Sequence, residues 1–137
     1  MRHPDPCPVI LLAENDALTV RFVRSLLEKR GYRVLHSSCP REALRMSVES
    51  RVSLIVGNPG ISPREHHGLL RAVRRNMRLA NVPFITLSNG TREEDAVRCF
   101  EEGTDDYLTR PFRARELVAR IRRLLERAEG NGGCTPT

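Results

Sequence analysis

Polar side chains that could form a chemical site stand at the ends of four short apolar runs in this sequence. They are Glu14, Asn15, Asp16, Asn58, Ser88 and Arg110. Glu14 and Arg110 carry opposite charges, and a guanidinium presents a planar fork of donors that suits a carboxylate. Asn58 offers only an amide, whose nitrogen lone pair is delocalised and whose oxygen is neutral, so it is not a usable nucleophile.

The residue behind Asn58 is Pro59, which protects that amide. Asparagine becomes aspartate when the backbone nitrogen of the following residue attacks the side-chain carbonyl. Proline has no free N–H for this attack. We therefore expect position 58 to remain asparagine.

Apolar runs that alternate with helical patterns predict the elements that position these residues. The runs PVILLA, YRVLHS, VSLIVG, VPFITLS and DDYLT are typical of strands. The first of five helical patterns places Leu18, Phe22, Leu26 and Leu27 at helical spacing. This alternation favours an α/β protein with a parallel sheet covered on both faces. In such a sheet the functional crevice lies at the carboxyl ends of the strands, where the polar residues stand.

Length and composition bound the class of protein. A chain of 137 residues suits one domain with one core. No stretch approaches the roughly 18 to 20 apolar residues of a membrane span, and the amino terminus lacks a signal peptide's apolar region. We therefore expect a soluble, cytoplasmic protein. Its four cysteines lack metal-ligand spacing, which favours free thiols in a reducing compartment.

The net charge of +6 comes almost wholly from arginine. Positive charge raises the affinity for phosphates, so this balance could mark a nucleic-acid partner. The alternative is a genome biased toward arginine codons. A basic stripe lies on one face of the third predicted helix, residues 68–80, and contains Arg71, Arg74, Arg75 and Arg78. A solvated face is the commoner interpretation of such a stripe, and few aromatic residues are present to stack on nucleic-acid bases.

The order of these motifs resembles that of the receiver domain of bacterial response regulators. The resemblance covers about residues 8 to 128 and is strongest in ILLAENDA, GTDDYLTRPF and RELVARIRRLL. It implies a CheY-like, flavodoxin-like (βα)5 fold in three layers, with a sheet of order 2-1-3-4-5. It also implies a non-enzymatic role in two-component signalling or a phosphorelay. Residues 1–7 would then be an N-terminal extension, and 129–137 a flexible tail or linker.

A working receiver of this family has an acidic pair after the first strand and, after the third, an aspartate that accepts a phosphoryl group. On this chain the acidic pair falls on Glu14 and Asn15, and the acceptor position falls on Asn58. The following loop, ISPREHHG, is about two residues longer than the resemblance implies. The chain thus lacks one acid of the pair and the acceptor itself.

The family also has a hydroxyl after the fourth strand, an aromatic switch residue, and a lysine before a cis-proline after the fifth strand. The hydroxyl falls on Ser88 and the switch on Tyr107. The lysine and proline fall on Arg110 and Pro111, so the lysine is the third departure from the pattern.

These departures remove most of the attraction for Mg²⁺, which prefers hard anionic oxygens, so we expect no cofactor and lost or weak Mg²⁺ binding. Glu14 and Arg110 already sum to zero charge. We expect Arg110 to contact Glu14 or the side-chain oxygen of Asn58 and to replace the metal; the alternative is that it points to solvent. Asp16 could help to bind a metal only if its loop turned it inward, and a residue in its place more often faces outward or caps the helix.

The last three elements resemble those of receivers from winged-helix transcription factors, which dimerise there through ion pairs across the interface. The residues that match this pattern are Glu101, Asp105, Asp106, Glu116, Arg120 and Arg122, while Ala96 stands where a basic residue is expected. A weak homodimer is the resulting prediction. The alternative is that Arg120 and Asp106 form ordinary surface ion pairs.

The sequence as a whole predicts a pseudo-receiver, a phosphorylation-independent module that binds other signalling proteins away from membranes. One alternative is a receiver still phosphorylated through Asp16, Ser88 or another residue. The other is a nucleic-acid-binding regulator that uses its arginine-rich surface.

Overall fold

The computed structural model describes residues 7–61, 67–90 and 92–132. The strands are β1 Val9–Ala13, β2 Arg33–Ser37, β3 Leu54–Gly57, β4 Phe84–Ser88 and β5 Asp106–Thr109. The helices are α1 Ala17–Glu28, α2 Pro40–Glu49, α3 Gly68–Arg75, α4 Glu93–Glu101 and α5 Ala114–Gly132, with a 3₁₀ turn at Pro59–Ile61. Most of the loop predicted to be longer than usual, residues 62–66, lies outside the described residues, as do most of the predicted extension and the end of the predicted tail.

The five strands form one parallel sheet in the order β2-β1-β3-β4-β5, which confirms the predicted fold. Side chains of β1 alternate between its faces. Ile10 and Leu12 belong to a core shared with α1 and α5, whereas Leu11 and Ala13 belong to a core shared with α2 and α3. All four are fully buried, because helices cover both faces of the sheet.

Helix α1 presents a different face to the core from the one predicted. Its buried residues are Thr19, Val23 and Leu27, whereas Leu18 is 73% exposed and Phe22 is 47% exposed. The two stripes are one residue apart, which is a rotation of about 100° on a helix. Apolar spacing alone could not choose between them, because valine and the methyl group of threonine also fill a core. The prediction was right for Leu27 and partly right for Leu26, which packs against this core, and wrong for Leu18 and Phe22.

Two helix ends differ from the prediction. Helix α3 ends at Arg75, because Asn76 is extended and its side-chain oxygen accepts a hydrogen bond from the backbone N–H of Arg78 at 2.9 Å. Helix α5 continues to Gly132, beyond the expected domain boundary at residue 128. Local propensity did not predict this extension, because two of the four added residues are glycines, which are poor helix formers. No helix within the described part of the chain is long and apolar enough to cross a membrane.

Candidate functional site

The site lies at the carboxyl edge of the sheet, where β1 and β3 end as neighbours and β5 ends one strand further on, beyond β4. Glu14 directly follows β1, Asn58 directly follows β3, and Arg110 directly follows β5. The backbone N–H of Asn58 donates to the carbonyl of Ala13 at 2.9 Å, so the pairing of β1 with β3 continues into the site. The sheet thus brings together three residues that the sequence singled out.

Glu14 is the centre of this pocket, and it is fully buried. Its Oε1 accepts a hydrogen bond from Nη2 of Arg110 at 2.6 Å. Its Oε2 accepts from Nδ2 of Asn58 at 3.1 Å and from the backbone N–H of Asp16 at 3.0 Å. A buried carboxylate is costly unless it is paired and hydrogen-bonded, and three donors meet that requirement here.

Arg110 supplies the pocket's positive charge. Its side chain is only 19% exposed, and its Nη2 pairs with Glu14. Its Nη1 donates to the hydroxyl of Thr19 in the first turn of α1, while its Nε is buried without a hydrogen-bond partner. The predicted contact with Glu14 is confirmed, and the alternative of an arginine that points to solvent is wrong. Sequence reasoning missed Thr19, although it stands three residues after Asp16 at the start of a predicted helix.

The amide of Asn58 is used at both ends. Its nitrogen donates to Glu14, and its Oδ1 accepts from the backbone N–H of Gly60 at 2.8 Å. This second bond closes a local turn through Pro59, of the kind that asparagine commonly forms with the backbone two residues on. Only a side chain with both a donor and an acceptor can make these two contacts at once, which suits an amide and not a carboxylate.

Asp16 and Asn15 lie outside the centre of the pocket. Asp16 caps α1, where its Oδ2 accepts from the Thr19 hydroxyl at 2.6 Å and from the Thr19 backbone N–H at 3.1 Å. These two bonds, the hydroxyl's first, lower the pKa of the Asp16 carboxyl. Asn15 is exposed. Of the two placements considered for Asp16, the structure shows the helix cap.

A family model described as the response regulator receiver domain matches residues 10–122 of this chain. The chain belongs to this family. The transcriptional regulatory protein GltR of Pseudomonas aeruginosa is 34% identical over 120 residues, which is 88% of this chain and 50% of GltR. The aerobic respiration control protein ArcA of Escherichia coli is 33% identical over 125 residues, which is 91% of this chain and 51% of ArcA. The receiver domain thus spans about half the length of the curated relatives that it matches.

Solved structures show the same fold. The receiver domain of a histidine kinase from Syntrophus aciditrophicus is 27% identical with a TM-score of 0.82, over 96% of this chain and 99% of that one. The receiver domain of a sensor histidine kinase from Pseudomonas aeruginosa is 25% identical with a TM-score of 0.79, over 88% of this chain and 98% of that one. The latter holds a magnesium ion in its active-site cleft.

The hydroxyls of Ser88 and Tyr107 both lie next to Gly90, shortly after the end of β4 in this receiver domain. Ser88 Oγ accepts from the backbone N–H of Gly90 at 2.8 Å, and the Tyr107 hydroxyl is buried without a hydrogen-bond partner. A Cβ atom at Gly90 would lie 3.1 Å from both hydroxyl oxygens, so the glycine leaves room for them. On the other side of the site, the peptide bond between Arg110 and Pro111 is cis, as the resemblance implied.

Most of the charged residues predicted for a dimer face are paired within this chain. Arg120 Nη1 contacts both carboxylate oxygens of Asp106 at 2.8 Å, and its Nη2 contacts Glu116 at 3.1 Å. These hydrogen bonds, the one to Asp106 first, raise the pKa of Arg120. Asp105 accepts from Arg74 at 2.8 Å. Glu101 and Arg122 are exposed.

The basic stripe expected on α3 does not exist as one free face. Arg71 Nε pairs with Glu102 at 3.0 Å, and Arg74 binds backbone carbonyls as well as Asp105. Arg78 lies beyond the end of α3 at Arg75. The predicted spacing therefore holds for Arg71, Arg74 and Arg75 and fails only for Arg78, because α3 is five residues shorter than predicted.

Proposed function

We propose that this receiver domain works without phosphorylation, as a pseudo-receiver that binds other signalling proteins. The observation that carries the proposal is the amide of Asn58, which stands at the acceptor position implied by the resemblance and is hydrogen-bonded at both ends. An amide cannot attack phosphorus as a carboxylate does. Pro59 also prevents its conversion to aspartate through the backbone.

The pocket residues do not fit the magnesium ion that the family implies. Both oxygens of Glu14 already accept hydrogen bonds, and the Arg110 guanidinium contacts Oε1 at 2.6 Å. A divalent cation at this carboxylate would be repelled by the guanidinium, and Mg²⁺ needs several oxygen ligands in octahedral geometry. Asp16 is committed to the cap of α1. We therefore propose that Arg110 replaces the metal as the pocket's positive centre.

A metal-free, uncharged pocket would give the domain one constant shape. Glu14 and Arg110 cancel each other's charge in the ion pair that joins the loops after β1 and β5. A ligand shifts a two-state protein only by its differential affinity for the two states. Signalling would then depend on which partners the fixed surface binds, or on a partner that favours another state.

Incubation with acetyl phosphate and Mg²⁺ should leave the intact mass of this protein unchanged, because no carboxylate nucleophile stands at position 58. Mg²⁺ should also leave its Tm unchanged, since a ligand stabilises only a state that it binds. The matched control is a variant with Asn15→Asp, Asn58→Asp and Arg110→Lys together, which restores the family pattern and should gain both a phosphoryl group and a Mg²⁺-dependent rise in Tm. A phosphoryl group on the parent protein would overturn the proposal, and its position at Asp16 or Ser88 would favour the alternative.

We further propose that the surface formed by α4, β5 and α5 binds partners, including a second copy of the chain. Two large apolar residues of α4, Val97 and Phe100, are each 48% exposed there. Arg120 lies on the same surface but is paired with Asp106 and Glu116 inside the chain. Pairs across an interface would have to replace these internal ones, which favours a weak dimer.

Sedimentation over a range of concentrations should detect this weak self-association, and Phe100→Asp should abolish it because the charge would lie in the interface. Leu18→Asp is the matched control, since Leu18 is 73% exposed on α1. It should leave self-association unchanged. A monomer at every concentration, or loss of association in the Leu18 variant alone, would contradict the proposed surface.

A further inference from the structure

We propose that Thr19 is a positioning residue, which holds the Arg110 guanidinium on Glu14 and so attaches the loop between β5 and α5 to helix α1. The inference rests on the proposed role of Arg110 as the pocket's positive centre. It adds a residue of α1 to the pocket, 91 positions away from Arg110 in the sequence.

The hydroxyl of Thr19 stands between opposite charges. It donates its single hydrogen to Oδ2 of Asp16 at 2.6 Å, and its oxygen accepts from Nη1 of Arg110. A threonine hydroxyl has one donor and two acceptor lone pairs, so both bonds can form together. Donation to a carboxylate also polarises the hydroxyl and makes its oxygen a better acceptor.

This hydroxyl selects one conformation of Arg110. Asp16 lies 4.0 Å from Nη1, too far for a direct hydrogen bond, so Thr19 connects the two. Arg110 Nε has no hydrogen-bond partner, so without Thr19 the bond to Glu14 would be the only hydrogen bond of the guanidinium. Arg110 is also partly open to solvent, since its side chain is 19% exposed whereas Glu14 is fully buried. Water could then compete for the guanidinium.

An aromatic contact attaches the same loop to the same helix. The rings of Phe22 and Phe112 are 6.0 Å apart and inclined by 48°. Phe22 lies one helical turn after Thr19, and Phe112 lies two residues after Arg110. Neighbouring residues on α1 thus bind neighbouring residues of the loop, one pair through polar atoms and the other through rings. Release of Arg110 should therefore also loosen the ring contact.

The test is a double-mutant cycle between Thr19→Val and Arg110→Met, with Thr19→Ser as the conservative variant. Valine has threonine's shape without its hydroxyl, and the backbone N–H at position 19 can still donate to the capping carboxylate of Asp16. Thr19→Val should raise the unfolding equilibrium constant about tenfold in the parent and about twofold in the Arg110→Met background. Thr19→Ser should restore most of the loss. Equal effects in both backgrounds would show that Thr19 serves only the helix cap, and would overturn the proposal.

NMR signals of Arg110 test the positioning role separately, because the loss of a helix cap alone would not change them. The parent and Thr19→Ser should show slowly exchanging guanidinium protons of Arg110 and cross-peaks between the rings of Phe22 and Phe112. In Thr19→Val the slowly exchanging protons should be lost and the ring cross-peaks should weaken. Unchanged Arg110 signals in Thr19→Val would overturn the inference. Phosphorylation of the parent by acetyl phosphate would overturn the proposed function alone, because the cycle is measured on the unphosphorylated protein.

Discussion

Arg110→Met should lower the free energy of unfolding by about 2 to 4 kcal/mol, because it leaves the fully buried carboxylate of Glu14 without its cation. Methionine fills much of the same volume, so the loss reports charge and hydrogen bonding more than packing. Two donors to Glu14 remain, from Asn58 and from the backbone of Asp16. They keep the loss in free energy of unfolding at the lower end of the range for variants that lose one partner of a buried ion pair. Urea denaturation of parent and variant measures the difference.

Two further variants separate the buried pair from ordinary surface charge. Arg120→Met removes an arginine that is 37% exposed and pairs with Asp106 and Glu116, and it should cost only about 0 to 1 kcal/mol. Adding Glu14→Gln to Arg110→Met removes the unpaired charge as well, so the double variant should be more stable than Arg110→Met alone. If Arg110→Met cost no more than Arg120→Met, the Glu14 pair would not be the strong electrostatic contact that we describe.

Arg74→Met should also be strongly destabilising, by about 2 to 3 kcal/mol, because one guanidinium joins three segments of the chain. Its Nε donates to the carbonyl of Gly103 at 2.9 Å, and its Nη1 donates to the carbonyl of Val82 at 2.7 Å. Its Nη2 pairs with Asp105 at 2.8 Å. Gly103 has a φ of +110°, and a Cβ there would lie 3.0 Å from Arg74 Cγ, so the loop before β5 is shaped around this side chain. Thermal or urea unfolding measures the loss.

The matched control is Arg75→Met, one residue further along α3. Arg75 is exposed, so its replacement should change the free energy of unfolding by less than about 0.5 kcal/mol. Similar losses in the two variants would mean that the carbonyls of Gly103 and Val82 find water when Arg74 is removed. The anchoring role of Arg74 would then be wrong.

Much of the fold could be predicted because its signals are local. An apolar run such as that of β3 is bounded by residues that end a strand, and the alternation of runs with helical patterns indicates a parallel sheet. The order 2-1-3-4-5 came from the resemblance, and the structure has it. Helix faces and ends were harder. Leu18 and Phe22 have the predicted helical spacing, yet Leu18 is mostly exposed and Phe22 is half-exposed. Helix α3 ends where Asn76 bonds to the backbone of Arg78.

The basic stripe shows why charge patterns predict less than apolar ones. The sequence spacing of Arg71 and Arg74 is correct for one helix face, but spacing does not reveal which acceptors other segments bring near. The structure brings Glu102 to Arg71, and it brings Asp105 and three backbone carbonyls to Arg74. A long arginine side chain binds whatever acceptor the tertiary structure places within reach.

The sequence by itself determined that Asn58 cannot act as a nucleophile and that Pro59 blocks its route to aspartate, because both properties belong to the residues and their immediate neighbour. It also indicated that Glu14 and Arg110 would meet, since parallel strands bring their carboxyl ends to one edge. Only the tertiary structure decided that the Thr19 hydroxyl would complete this pocket. That contact depends on the rotation of α1 against the sheet, which the packing of Val23 and Leu27 sets and no local pattern specifies.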